Sequence, residues 1–255
     1  MTPAERDRRR IKIPVAIVSL SAWALLLVRA GGGALSNSCC IPTSLQEGFT
    51  ASSWQMLLAR NPPTQMAIGW AVMVVAMMGP LMCHCIQHVR ETSFARRRFR
   101  AIALFILGYF IVWMAAALLL LPIALMVRLF AATSFVPVCV GGVLALVWQM
   151  SPVKQRCLNR KHVHPSLAAF GLRADWDAAK FGLTHGVWCF SSCWALMLLA
   201  EVFPSGHILA MAVLTLWLLA EHLDRPLAPQ WRLRGIGKAV RVSVAQTRLA
   251  LGLGL

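Results

Sequence analysis

Residues 181–203 read FGLTHGVWCFSSCWALMLLAEVF. The stretch is long and apolar enough to cross a bilayer as a helix, which takes about 20 such residues. Within it, His185, Cys189, Cys193 and Met197 recur every four residues. Helical neighbours four apart sit about 40° apart around the axis, so each consecutive pair shares a face. An imidazole, two thiols and a thioether form a row of soft donors. Such ligands select Cu(I), and Cys with His also suits Zn(II). Polar or ionisable groups in a membrane helix are costly and point to function. The stretch predicts a membrane helix that handles a soft metal.

The rest of the chain agrees with a membrane setting. Of its 255 residues, 58% are hydrophobic and only 13% are charged, where a soluble domain carries about 25% charged residues. The apolar runs are long and do not alternate, which argues against a β-barrel. The expected fold is all-α, a polytopic membrane helix bundle of about six transmembrane helices. The net charge of +16 does not indicate nucleic acid, because Lys and Arg cluster between apolar spans. There they orient the chain and meet anionic lipid head groups.

Spans are expected at 13–30, 66–83, 101–126, 129–150, 181–203 and 207–223. The third and fourth are separated by little more than Met126–Arg128, which predicts a tight hairpin. Pro204, Ser205 and Gly206 predict a second tight turn. Residues 1–12 hold five Lys/Arg, 84–100 five, 151–180 six and 224–255 six. The positive-inside rule puts these four segments in the cytoplasm and both termini with them, in a bacterial inner membrane. The organisation is then a basic N-terminus (1–12), a six-span membrane domain (13–223) and a basic tail (224–255). The tail carries Trp231, Val240, Val244 and Leu249, as a membrane-surface helix does. Met1–Lys12 followed by Ile13–Val28 also has the outline of a signal peptide. No small-x-small site follows a short apolar core, which favours a retained first helix. The external loop 31–65 has amphipathic character around Trp54–Leu58. It also holds adjacent Cys39 and Cys40, which are open to oxidation. The other cysteines lie in or beside spans and do not resemble a disulfide framework.

Further soft donors flank the first stripe. Trp70, Met73 and Met77 continue a helix face from Met66, with Met78 and Met82 following. Methionine also packs as a flexible apolar residue, so this stripe has a plain reading too. Cys83-His84-Cys85 with His88 presents zinc or copper donors at short reach. In the loop SPVKQRCLNRKHVHP, Cys157, His162 and His164 are candidates, though Arg160 and Lys161 lie between them and repel a bound cation. Nearly all these donors fall toward the cytoplasmic side, with Cys189, Cys193 and Met197 stepping deeper along one helix. Glu221 and Glu201 are intramembrane acids that pair, bind a cation or carry protons. The plain alternative for Glu221 is a helix-end group near Arg225. Ser191 and Ser192 have a plain role in bonding back to helix carbonyls. No HExxH, GxSxG or placeable Ser/His/Asp set is present, so catalysis is not expected.

WAVMVVAMMGPLM (70–82), SPVKQRCLNR (151–160) and FGLTHGVWCFSSCWALM (181–197) together resemble the predicted metal-binding integral membrane protein family of bacteria. The resemblance covers 66–223. It implies a metal carrier similar to membrane copper chaperones that load oxidases such as tyrosinases. The residues it points to are Met73, Met77, Met78, Cys157, Cys189, Cys193, Met197 and Glu221. The chain departs from the family pattern at Ser192, where a second adjacent Cys is common, and at Lys161, where the loop commonly has a Cys. Both departures remove soft ligands, for which Cys83 and Cys85 are possible compensation.

The expected function is a membrane protein that binds Cu(I), with zinc as the alternative ion, through Cys189, Cys193, His185, Met197, Met73, Met77 and their neighbours. Its expected partners are membrane lipid and a copper-dependent oxidase or other metal acceptor. Three rivals remain: a metal transporter, a thiol–disulfide relay, and a structural subunit whose Cys and Met only pack.

Overall fold

A computed structural model describes residues 3–31, 62–131, 136–202, 206–223 and 226–233, with Gln55 and Ala59 in addition. Cys39 and Cys40, the Trp54–Leu58 segment apart from Gln55, Pro204 and Ser205, and the tail beyond 233 lie outside the described residues. Among the described residues every regular element is helical: α1 (Pro3–Gly31), α2 (Pro63–Met78), α3 (Cys83–Thr92), α4 (Arg98–Ala131), α5 (Val136–Met150), α6 (Pro152–Lys161), α7 (Gly171–Val202) and α8 (His207–His222). Three of the described stretches are long and apolar enough to cross a membrane: Arg9–Arg29, Arg98–Val127 and Gly171–Val202. A fourth arises if α2 and α3 count as one bent span, while α5 and α8 are shorter apolar helices.

Four boundaries differ from the sequence reading. The expected span 66–83 is broken: α2 stops at Met78, a 3-10 turn covers Pro80–Met82, and α3 leaves at 51°. Pro80 has no N–H to donate and is placed at the start of the new turn, where none is needed. The turn between the third and fourth spans comes later than expected, because α4 continues through Pro122 to Ala131. The fifth span begins ten residues early, at Gly171. The segment after Ser151 is a helix and not an open loop. Ser151 caps it by accepting from the Lys154 backbone N–H at 3.1 Å, and Pro152 takes the first position.

The bundle is organised around α4 and α7, which run parallel in close contact. Arg97 and Arg100 each reach Asp175 at 2.7 Å at one end. The Phe105 and Phe181 rings lie 5.1 Å apart, and further along Trp113 meets Phe190 edge-on. Gly182 makes this approach possible: a Cβ there would lie 2.9 Å from the Phe105 carbonyl carbon and closer still to its oxygen. Small residues let membrane helices bring their backbones together in this way. Helix α2 joins α4 through Trp70 Nε1, which donates to the Trp113 carbonyl at 2.9 Å. Helix α1 lies against α2, with Ser19 Oγ donating to the Ala76 carbonyl at 2.7 Å.

Helix α6 folds back along α7, where the Arg160 guanidinium covers the Trp188 ring. Residues 226–233 are not helical. They are tied to α6 and α5 by Asn159 Nδ2 donating to the Leu227 carbonyl at 2.8 Å and the Arg232 N–H donating to the Met150 carbonyl at 3.1 Å. Large apolar side chains such as Leu107, Ile111 and Leu118 on α4, and Leu209, Val213 and Leu216 on α8, point away from the bundle.

Candidate metal centre

The four-residue stripe of α7 faces the interior. His185, Cys189, Cys193 and Met197 are all buried. Because Gly182 and Gly186 hold α7 against α4, Tyr109 of α4 lands on the stripe: its hydroxyl donates to Cys189 Sγ at 3.3 Å. The Tyr109 ring also lies 5.9 Å from that of His185. Cys193 Sγ donates to the Cys189 carbonyl at 3.0 Å, and Ser192 Oγ donates to the same carbonyl at 2.7 Å. The Ser192 hydroxyl thus takes the back-bonding role expected of it.

The bend at Pro80 brings α3 to the N-terminal half of α7. Cys85 Sγ comes within 3.5 Å of both ring nitrogens of His185. Cys83, two residues earlier, points elsewhere and is half-buried. The same bend assembles histidines from three elements. His84 lies 6.1 Å from His222, His162 stacks on His222 at 5.3 Å, and His88 meets His164 edge-on at 4.9 Å. His222 Nδ1 is buried without a hydrogen-bond partner among the described residues. Burial lowers the pKa of His162, with Lys161 and the other histidines adding to the effect. Burial and the neighbouring His88 do the same for His164. Both imidazoles therefore stay neutral to lower pH than usual, and neutral imidazole is the metal-binding form.

Two lysines sit at the heart of the bundle. Lys154, fully buried on α6, contacts Glu221 Oε1 at 2.7 Å and Gln149 Oε1 at 2.5 Å. Gln149 Nε2 donates to the same Glu221 oxygen, as does Trp217 Nε1 at 3.0 Å. Glu221 is therefore an interior group and not a carboxylate fraying at a helix end. Its Oε1 is held by three donors, and its buried Oε2 has no hydrogen-bond partner among the described residues. Lys161, at the end of α6, is only 4% exposed. Burial pulls its ammonium toward the neutral form, but the sulfurs of Cys189 and Cys193 and the Glu221 carboxylate outweigh burial, and its pKa is raised. The expected picture of Lys161 as a loop residue is corrected: it is the last residue of α6 and is buried.

Helix α2 contributes Met73, Met77 and Met78, all buried in the same apolar core as Cys189, Cys193 and Met197. Cys157 is buried on α6, and burial raises its pKa. Glu201 is half-buried near the far end of α7. Among the described residues no three His, Cys, Asp or Glu side chains converge tightly enough to enclose an ion. The structure instead offers close pairs: Cys85 with His185, and Cys189 with Cys193 one turn apart. Sequence reasoning missed Tyr109, Gln149, Lys154 and Lys161 as neighbours of these groups. A signal existed for Tyr109, the only tyrosine in the chain, and for Lys154, which sits in the S-P-x-K string.

Residues 67–244 match a protein-family model described as "PpoB2: Copper chaperone". No curated protein and no solved structure matches the chain.

Proposed function

The chain belongs to the PpoB2 copper chaperone family, and on that premise we propose that it is an integral membrane protein that binds Cu(I) and presents it to a copper-dependent partner such as an oxidase. Cys189 and Cys193 are the central thiolates in this reading. Cys85 and His185 form an adjoining station, and Met197, Met73, Met77 and Met78 supply thioethers around them. Copper is cargo here, so no bond-making chemistry is required of the protein. The observation that carries the reading is the burial of the whole α7 stripe in a Met-rich core, with donors arranged as pairs. Cu(I) is satisfied by two or three soft ligands, whereas structural zinc takes a closed tetrahedral set. Paired thiols in an apolar core therefore favour Cu(I) over zinc. Their burial also counts against thiol–disulfide exchange, which needs an accessible thiolate.

The membrane setting is supported by three long apolar helices and by outward-facing leucines, isoleucines and valines on α4 and α8. Such a surface is a liability in water and suits lipid. We assign six crossings, with α2–α3 as a bent span and α5 and α8 as short ones. The Lys/Arg-rich segments then share the cytoplasmic side. The clustered histidines lie on that side and form an inner mouth through which copper enters or leaves.

The test is an anaerobic Cu(I) titration of detergent-purified protein under reducing conditions, beside the Cys189→Ser/Cys193→Ser double variant. Stoichiometric copper in the parent and its loss in a folded variant are expected. Absence of copper from folded parent protein would sink the proposal. Copper flux into sealed vesicles, with no partner present, would instead favour a transporter.

A further inference from the structure

Three of the seven histidines meet where the ends of three helices converge. His84 lies in the first turn of α3, His162 caps the C-terminus of α6, and His222 is the last residue of α8. The His162 and His222 ring centroids are 5.3 Å apart and those of His84 and His222 are 6.1 Å apart. His84 is exposed, while His162 and His222 are half-buried. At the inner side of the group, His222 Nδ1 is sealed from solvent with no hydrogen-bond partner among the described residues. A buried nitrogen left in that state is costly unless something else supplies its bond. The neighbouring His88 is different, because its Nε2 bonds the Pro165 carbonyl at 2.9 Å.

Three imidazoles on one tetrahedral ion have ring centroids about 5 Å apart, given the usual metal–nitrogen bond length. The centroids of this trio are already close to that spacing, although the rings as they stand do not enclose an ion. The nearly parallel rings of His162 and His222 show each other their faces. Rotation of His162 and of the exposed His84 turns their nitrogens toward the fixed, buried Nδ1 of His222. We infer that His84, His162 and His222 form a second metal site, an all-imidazole station for a borderline first-row ion such as Zn(II), Co(II) or Cu(II). Imidazole suits these ions, whereas thiolate and thioether select Cu(I).

The surroundings set the character of this site. Two helix C-termini and one N-terminus meet there, which leaves a net partial negative charge of about half an elementary charge in favour of a cation. Lys161, next to His162, works against it by direct repulsion. Binding is therefore weaker than at a closed structural site, as suits an ion in transit. Position supports the same role. Cys85 follows His84 on α3 and reaches His185 at 3.5 Å, so consecutive residues of one helix serve the solvent-facing trio and the buried stripe of α7. That hand-off rests on the copper-carrier reading. The site itself does not, since none of its ligands is a thiol.

The experiment is an anaerobic Co(II) titration of the full-length protein in detergent, free of any polyhistidine tag, followed by displacement with Zn(II). It is run on the parent and on Cys189→Ser/Cys193→Ser, so that a folding failure of the double variant leaves the parent. Each of His84→Gln, His162→Gln and His222→Gln is compared with His88→Gln/His164→Gln, and helicity is checked for all. His84 is exposed, so His84→Gln keeps the test open if a variant of a half-buried histidine fails to fold. The expected result is one Co(II) per chain, displaced by Zn(II), with no sulfur-to-cobalt charge-transfer band. Affinity falls by at least about tenfold in each variant of the trio, as befits loss of a direct ligand, and is unchanged in His88→Gln/His164→Gln. Absence of Co(II) and Zn(II) from folded protein overturns the site. A charge-transfer band, or affinity that survives His84→Gln, overturns the ligand assignment. Cu(I) titration of the same parent keeps the two readings apart: copper bound without Co(II) sinks only the imidazole site, and Co(II) bound without copper sinks only the thiol site.

Discussion

The contact between Lys154 and Glu221 decides whether Glu221 is a metal ligand or a structural partner. Both side chains are sealed from solvent, at 0% and 1% exposure, with 2.7 Å between Nζ and Oε1. Removing one member of such a pair leaves a buried charge and costs about 3–5 kcal/mol. Lys154→Met and Glu221→Gln should each show a loss of that size. In the double variant neither charge remains. The amide introduced at position 221 still offers an oxygen to Gln149 and Trp217. The main residual cost is Gln149 Oε1 without its ammonium donor, about 1–3 kcal/mol. The singles sum to about 6–10 kcal/mol, so the coupling should be about 3 kcal/mol or more, at the upper end for contacting residues. Equilibrium unfolding in mixed micelles titrated with SDS would measure all four corners of the cycle. Under the structural assignment the double variant also keeps its Cu(I) stoichiometry. Additive losses would refute the pairing, and loss of copper from a stable double variant would return Glu221 to the ligand set.

Two further predictions test the frame and the inner mouth. At Gly182 an added Cβ runs into the Phe105 backbone, so Gly182→Ala must push α7 off α4. The expected cost is about 1–3 kcal/mol from overpacking, with weaker Cu(I) binding as Tyr109 draws away from Cys189. An unchanged unfolding midpoint would contradict the close helix contact. The second concerns pH. Folding lowers the pKa of His162 and His164 from 6.5, so the unfolded chain takes up protons first on acidification. Stability contributed through these groups is intact above about 6.5 and is lost as pH falls through that value toward the lower folded pKa. The unfolding midpoint should drop over that window, and less steeply in His162→Gln/His164→Gln. A midpoint that rises on acidification would reverse the sign of the argument.

The α7 stripe was legible because helical periodicity is local: four-residue spacing puts each consecutive pair of His185, Cys189, Cys193 and Met197 on a shared face, and the packing turned that stripe inward. Met73 and Met77 were legible in the same way. The break at Gly79–Met82 was less so, because an apolar run containing one proline is compatible with a straight, kinked or broken span. The extra turns of α7 before Phe181 were hidden by their polarity, which hydropathy reads as loop.

By itself the sequence determined the helical class, the apolar stretches, the clustering of basic residues between them and the soft character of the donors. Each of these depends on composition or on neighbours within a turn or two. Tertiary structure alone decided which distant groups meet: Cys85 with His185, Tyr109 with Cys189, and Lys154 with Glu221. Lys161 read as a loop charge and Lys154 drew no reading of its own, because charge in a polar segment is normally exposed. They are buried because α6 packs back against α7. A buried charge is tolerable only where a partner from another helix arrives to match it, and that arrival is a property of the packing.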